Sequence, residues 1–302
     1  MIQIAMEPKV FPEYLAAAES AGAEVVPMGP TVKGLIWLDY SKPQDLEKML
    51  DENPQIEWVQ LPFAGVDAFS EIIKRPVRFT SAKGSYREPV AEHALALSLA
   101  LMRIIPERVR TKTWGRQFAD SLYDGNVLIF GGGGITEELI KLLTPFRSKI
   151  TVVRNQKKEL AGAFQTVPFG ELDNHLGNAD LVILAAALTP QTTHLFDSKK
   201  FDLMKQTAYL VNVARGPMIV TDDLISALAG GSIAGAALDV TDPEPLPDGH
   251  PLWSAPNIII TPHSADTRVQ VVRLFSHRIQ ENVRAFATGS GWVGQVDPNL
   301  GY

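Results

Sequence analysis

Cysteine is missing from all 302 residues. Its absence excludes a disulfide framework, a thiolate metal site and a cysteine nucleophile, so redox chemistry would have to reside on a bound cofactor. Apolar runs approaching the roughly 18 residues that span a bilayer are lacking too. The start, Met1-Ile-Gln-Ile-Ala-Met6, has no basic n-region and no cleavage site. A cytoplasmic protein with no membrane partner is expected. A large excess of either charge is lacking as well: 28 Lys and Arg stand against 34 Asp and Glu, a formal net charge of −6, and the cations are scattered except around Arg154, Lys157 and Lys158. Such a surface does not track phosphates, so no nucleic acid is expected as a partner. His93, His175, His194, His250 and His277 lack metal-ligand spacing, and no metal is expected. His93 reads as a satisfied, partly buried residue of an apolar helix.

What the chain does have is alternation. Short apolar runs alternate with amphipathic stretches, the pattern of β-α units around parallel sheets. The first part offers strands at Ile2-Ala5, Glu24-Val26, Gly34-Leu38, Trp58-Leu61 and Val77-Thr80, with helical spacing over Phe11-Ala21 and Gln44-Leu50. Glu88 to about Arg110 reads as one long helix with Pro89 in its first turn, where a missing N–H costs little. Six near-continuous apolar strands follow, at Val127-Phe130, Ile150-Val153, Leu181-Ala185, Tyr209-Val213, Gly235-Val240 and Asn257-Thr261, implying a sheet covered on both faces. Arg268-Ala287 is amphipathic, and the tail from Gly289 is rich in turn formers.

The run Val127-Leu-Ile-Phe-Gly131-Gly-Gly133-Gly134-Ile135-Thr136 passes from strand through glycines into a helical pattern. Gly131 permits the tight turn, and Gly133 lets the backbone approach a pyrophosphate at the helix N-terminus. Thr136 stands where the fingerprint has Gly or Ala, a small departure that thickens the strand–helix contact. About twenty residues on, an NAD-selective site would place an acid near Arg154. Here Arg154, Asn155, Lys157 and Lys158 offer donors to a 2′-phosphate instead. NADP(H) is the preferred cofactor and NAD(H) the alternative. The bland reading of this segment is a solvated basic turn.

Three strand-like runs are each followed by an ionisable group suited to catalysis: Arg215 in Asn212-Val-Ala-Arg-Gly216, Glu244 in Asp-Pro-Glu-Pro, and His263 in Thr-Pro-His-Ser-Ala265. Singly, these read more readily as a surface turn, a solvated loop and a helix cap. Jointly they supply what reduction of a 2-keto acid needs. His263 would give the proton, since imidazole titrates near neutrality. Glu244 would favour the imidazolium and fix its orientation, and Arg215 would hold the substrate carboxylate and polarise its carbonyl.

Leu203-Met-Lys-Gln-Thr-Ala-Tyr-Leu-Val-Asn212-Val-Ala-Arg215-Gly216, Ala236-Ala-Leu-Asp239-Val, Glu244-Pro-Leu-Pro247, Pro251-Leu-Trp253 and Asn257-Ile-Ile-Ile-Thr-Pro-His263, with Ala64-Gly65-Val66-Asp67 and Val90-Ala-Glu-His93 upstream, resemble the D-2-hydroxyacid dehydrogenase family. The likeness covers roughly residues 60–270. It implies an α/β fold of two Rossmann-like domains: a central, doubly wound dinucleotide-binding domain at residues 88–267, and a discontinuous flavodoxin-like substrate domain at residues 1–87 that is rejoined by a return helix and tail at 268–302. The active site would lie in the cleft between them. The resemblance makes Arg215 the substrate-binding arginine, Glu244 the histidine-orienting glutamate and His263 the proton donor. It gives the N–H groups of Gly65 and Val66 to the substrate carboxylate. Asp239 falls where the family contacts the nicotinamide carboxamide; Gly134, Ile135, Ala186, Val213, Ala214 and Ala265 fall at other cofactor positions, to which Arg215 and His263 also belong. A homodimer through the cofactor domains, involving the Pro89-Arg110 helix, is implied as well.

Two stretches depart from the family pattern. Ala185-Ala186-Ala187-Leu188-Thr189-Pro190 replaces a polar or cysteine residue followed by proline, on the adenosine side. Ser85-Tyr86-Arg87 replaces smaller residues, and Phe63 and Trp114 are candidates for either an apolar substrate wall or core. The expected activity is an NADP-preferring 2-keto acid reductase acting on a small 2-keto or 2-hydroxy acid. Glu244 argues against a formate dehydrogenase, which needs no proton donor and has glutamine there. Phosphite oxidation would keep all three groups, and a dinucleotide-sensing corepressor is the non-enzymatic alternative.

Overall fold

A computed structural model describes residues 2–115, 117–155 and 158–301. The chain divides into two units, one running to Tyr86 and resuming at Thr267, the other covering Arg87–Asp266.

The first unit begins with β1 (Ile2–Glu7), α1 (Pro12–Ser20), β2 (Ala23–Val25), β3 (Gly34–Trp37), α2 (Pro43–Glu52), β4 (Trp58–Gln60) and β5 (Arg78–Thr80). Pro12 and Pro43 sit in the first turns of their helices, where their fixed φ suits the start. The strands pair in parallel in the order β2-β1-β3-β4-β5, the flavodoxin order. Because helices cover both faces, β3 and β4 are buried along their whole length.

The second unit opens with α3 (Arg87–Met102) and α4 (Ile105–Arg110), then β6 (Asn126–Phe130), α5 (Gly134–Leu143), β7 (Lys149–Arg154), β8 (Gln165–Pro168), α6 (Leu172–Leu176) and β9 (Leu181–Leu184). It closes with α7 (Ser198–Leu203), β10 (Tyr209–Asn212), α8 (Thr221–Gly230), β11 (Gly235–Leu238) and β12 (Ile258–Ile260). Its seven strands are parallel in the order β12-β11-β10-β9-β6-β7-β8. Strand order reverses between β6 and β9, the point at which doubly wound sheets leave a crevice for ligands. Leu128, Phe130, Leu184 and Leu210 build the core on one face; Ile129, Ile183 and Val211 build it on the other.

Two expectations are corrected. The long helix predicted from Glu88 breaks: α3 ends at Met102, Ile104 turns left-handed at φ 50, and α4 starts at Ile105. Pro106 is the cause, since it has no N–H for the Met102 carbonyl and its ring would collide with that oxygen. The sheet also gains β8, an edge strand in which only Val167 is buried, so no apolar run announces it.

The chain then returns to the first unit as α9 (Arg268–Thr288), opened by a reciprocal cap between Thr267 and Gln270 and closed on Gly289 at φ 75. Asn282 Nδ2 donates to Gln60 Oε1 at 2.7 Å, and the buried Arg278 donates to the carbonyls of Ser81 and Lys83 at 2.5 and 3.0 Å. These bonds satisfy polar groups that would otherwise be stranded in the core.

Candidate active site

Asn212, Leu238 and Ile260, the last residues of β10, β11 and β12, are in register across the sheet. The loops that follow therefore leave the same sheet edge. The fully buried Asn212 shapes the first, accepting from the Ala214 N–H at 3.0 Å and donating to the Arg215 carbonyl at 2.9 Å. Gly216 lies so close to the Thr241 carbonyl that a Cβ there would overlap it. The Arg-Gly pair is thus a packing requirement, because glycine lets the Arg215 turn nest against the loop that leads to Glu244. The Thr241 backbone, close by, helps to hold the Glu244 carboxyl below its ordinary value.

His263 Nδ1 lies 2.6 Å from Glu244 Oε1, with both side chains about half exposed. This hydrogen bond holds the histidine above its ordinary 6.5; burial and the nearby charge of Arg215 oppose it. The same bond holds Glu244 below its ordinary 4.5. Both shifts favour a charged carboxylate facing an imidazolium. With Nδ1 engaged, Nε2 is the nitrogen left to exchange a proton.

Asp239 organises the loop carrying His263. It is 2 % exposed, and its Oδ1 accepts from Thr261 Oγ1 at 2.6 Å and from the Ser264 N–H at 2.9 Å, while Oδ2 accepts from the Ala265 N–H at 3.2 Å. Burial raises its pKa, but these bonds and His93 outweigh burial and hold it below 3.8. The half-buried Asp266 goes the other way: burial raises it, and His263 only partly compensates.

At the switch point, Gly131 has φ +116 and packs against the Ala185 carbonyl, 2.5 Å from where a Cβ would sit. Only glycine fits such a turn. Gly133, the N-cap of α5, has open space where its Cβ would be and no side-chain cap, so the first N–H groups of the helix face outward. Thr136 accounts for its own departure from the fingerprint: it is fully buried and donates to the Gly131 carbonyl at 2.8 Å, pinning the turn. Arg154, at the end of β7, lies across Gly132, its Cδ 2.7 Å from where a Cβ would sit. Asn155 and Lys158 are exposed beside it; Lys157 lies outside the described residues.

Residues 94–265 match the family model for the NAD binding domain of D-isomer specific 2-hydroxyacid dehydrogenases. The chain belongs to that family. It is accordingly an NAD(P)-dependent oxidoreductase acting on 2-hydroxy acids. An uncharacterized protein in the proB 3′ region of Corynebacterium melassecola is 39% identical over 261 residues, 84% of this chain and 85% of that one. The glyoxylate reductase of Thermofilum pendens is 32% identical over 254 residues, 80% and 75% of the two chains. Among solved structures, the D-isomer specific 2-hydroxyacid dehydrogenase of Xanthobacter autotrophicus Py2, in complex with NADPH and MES, has a TM-score of 0.87 at 25% identity, covering 99% of both chains.

Other residues singled out by the family likeness fall as follows. Val213 and Ala214 are buried just beyond β10, Ile135 lies in the first turn of α5, and Ala186 follows β9. In the first unit Gly65 and Val66 follow β4; among the described residues neither N–H has an acceptor. Phe63 beside them is 41% exposed and meets Tyr40 edge-on at 5.5 Å, whereas Trp114 is 89% exposed, so neither is core. Sequence reasoning missed Asn212, Thr261 and Asp266, and it gave His93 only a passive role. Their one signal was placement beside the strand-end motifs and within Val90-Ala-Glu-His93. Among the described residues no group of three His, Cys, Asp or Glu side chains could hold a metal ion, and no helix is long and apolar enough to cross a membrane.

Proposed function

We propose that the protein is an NADPH-preferring reductase of small 2-keto acids, forming the D-2-hydroxy acid with His263 as proton donor. The observation that carries this reading is the 2.6 Å bond between His263 and Glu244 at the edge of the sheet where Arg215 also emerges. The open backbone at Gly133 and the close turn at Gly131 fit a dinucleotide pyrophosphate. When bound, the reduced nicotinamide supplies a hydride to the carbonyl carbon.

The chain's own residues do the rest. Arg215 holds the substrate carboxylate, a role that the family likeness also gives to the N–H groups of Gly65 and Val66. His263 passes the proton on Nε2 to the developing alkoxide and becomes neutral, keeping the Nδ1–H that Glu244 accepts. The Asp239 Oδ2 oxygen, which among the described residues accepts only the Ala265 N–H, retains lone-pair capacity for the nicotinamide carboxamide. Gly134, Ile135, Ala186, Val213, Ala214 and Ala265 complete the cofactor's surroundings. Arg154 and Asn155 favour a 2′-phosphate because the guanidinium is planar, permanently charged and matched to it.

A homodimer is part of the same reading. It is supported by the exposure of Ile105, Val109, Trp114 and Phe118, which are 47%, 78%, 89% and 56% exposed within one short stretch of the second unit.

The test is a set of initial rates with glyoxylate, hydroxypyruvate, pyruvate and branched and aromatic keto acids, each with NADPH and with NADH. Turnover with at least one keto acid, faster with NADPH, is expected. An NADH preference removes the cofactor assignment, and no turnover with either cofactor removes the activity.

A further inference from the structure

His93 is a titratable side chain on α3 that the proposed chemistry does not use. Its Nε2 lies 3.0 Å from Thr261 Oγ1 and 3.3 Å from Asp239 Oδ1, and the side chain is only 21% exposed. Thr261 has one hydroxyl proton, which it gives to Asp239 Oδ1 at 2.6 Å. The oxygen of Thr261 is then an acceptor toward His93, and a carboxylate oxygen can only accept. Both neighbours of Nε2 therefore require a donor, which assigns the proton to Nε2 whatever the charge of the ring.

Asp239, so held, grips the histidine loop at consecutive positions. Its backbone carbonyl accepts the His263 N–H at 2.8 Å, and its carboxylate accepts the N–H groups of Ser264 and Ala265. That grip is needed because His263 has φ 49, in the left-handed region that side chains other than glycine seldom occupy. A loop in that conformation relaxes unless neighbouring bonds over-determine it. We propose that His93 is a positioning residue: through its Nε2–H on Thr261 and Asp239 it fixes the loop that presents His263 to Glu244. This rests on His263 being the proton donor.

Two variants of the full-length chain test the inference. Leucine removes the donor while keeping an apolar side chain of similar reach, and glutamine places an amide N–H near the position of Nε2. With glyoxylate and NADPH, His93→Leu is expected to lower kcat on the order of ten- to hundred-fold, the scale of a misplaced catalytic group. KM should change far less. The alkaline limb of the pH profile should also move down toward the ordinary histidine value of 6.5, because His263 loosens from Glu244. The charges governing that limb are Glu244, Arg215, Asp239 and Asp266, all unchanged by the substitution. His93→Gln should restore most of kcat and the limb. Unchanged kcat and limb in His93→Leu overturns the inference, as does a lower melting temperature with the limb unmoved, or a glutamine variant no better than leucine. Failure of the underlying reading is distinguishable, since His263→Ala would then retain turnover.

Discussion

His263 and Glu244 share a hydrogen bond of 2.6 Å, although 19 positions separate them in the chain. The bond raises the histidine from 6.5 and lowers the glutamate from 4.5, both shifts favouring the ion pair. Keto-acid reduction needs the imidazolium, so kcat/KM should be flat below 6.5 and fall only as pH passes the raised value above it. Oxidation of the hydroxy acid needs neutral imidazole and should rise over the same window. The pair's contribution to stability follows the same signs: it is full between the ordinary values of 4.5 and 6.5, and is lost as pH climbs from 6.5 through the histidine's raised value or drops from 4.5 through the glutamate's lowered one. Rate profiles in both directions check this, and a reduction limb at or below 6.5 would count against the pair.

Substitution separates the roles of its members. His263→Ala should lose about a hundred- to ten-thousand-fold in kcat, the range of a general acid, while NADPH still binds. Glu244→Gln should retain more activity and move the alkaline limb downward, since a neutral amide cannot favour the imidazolium. Full turnover by His263→Ala would remove this residue from the mechanism.

Arg154 should set cofactor choice. A charge-assisted hydrogen bond is worth roughly 1.5–3 kcal/mol, so Arg154→Ala should reduce kcat/KM for NADPH by about ten- to a hundred-fold. The value for NADH should change little. An equal loss with both cofactors would reduce Arg154 to a general packing role over Gly132.

Gly216→Ala tests why arginine is followed by glycine. The new methyl would overlap the Thr241 carbonyl and come within 2.7 Å of the Asp242 N. Overpacking of this kind costs about 1–3 kcal/mol, and relief by separating the two loops would part Arg215 from Glu244. A melting temperature lower by several degrees and a clear fall in kcat/KM are expected; wild-type values in both would show that the contact yields freely.

What could be read from the residues and what could not divides along physical lines. Strands buried on both faces, such as Leu181–Leu184 and Tyr209–Asn212, are uninterrupted apolar runs and stood out. Edge strand β8 is mostly half exposed and did not. Arg215, Glu244 and His263 were visible because each follows such a run. The grip of Asp239 on Ser264 and Ala265 was not, because a carboxylate's choice of backbone partners depends on loop geometry. The His93 contact with Thr261 spans 168 positions and joins a helix to a strand end, a pairing no local pattern carries. Thr136 shows the converse: its mismatch with the fingerprint was plain, and only the buried bond to Gly131 explains it.

The bonds from α9 also impose an order on assembly. Arg278 and Asn282 reach partners 197, 195 and 222 positions earlier in the chain. At about 5–20 residues per second, synthesis leaves Ser81, Lys83 and Gln60 waiting on the order of 10 to 40 s for those donors. The whole segment Arg87–Asp266 is made in the interval. The middle unit is thus fully synthesised before the first sheet receives the side chains that satisfy its buried polar groups.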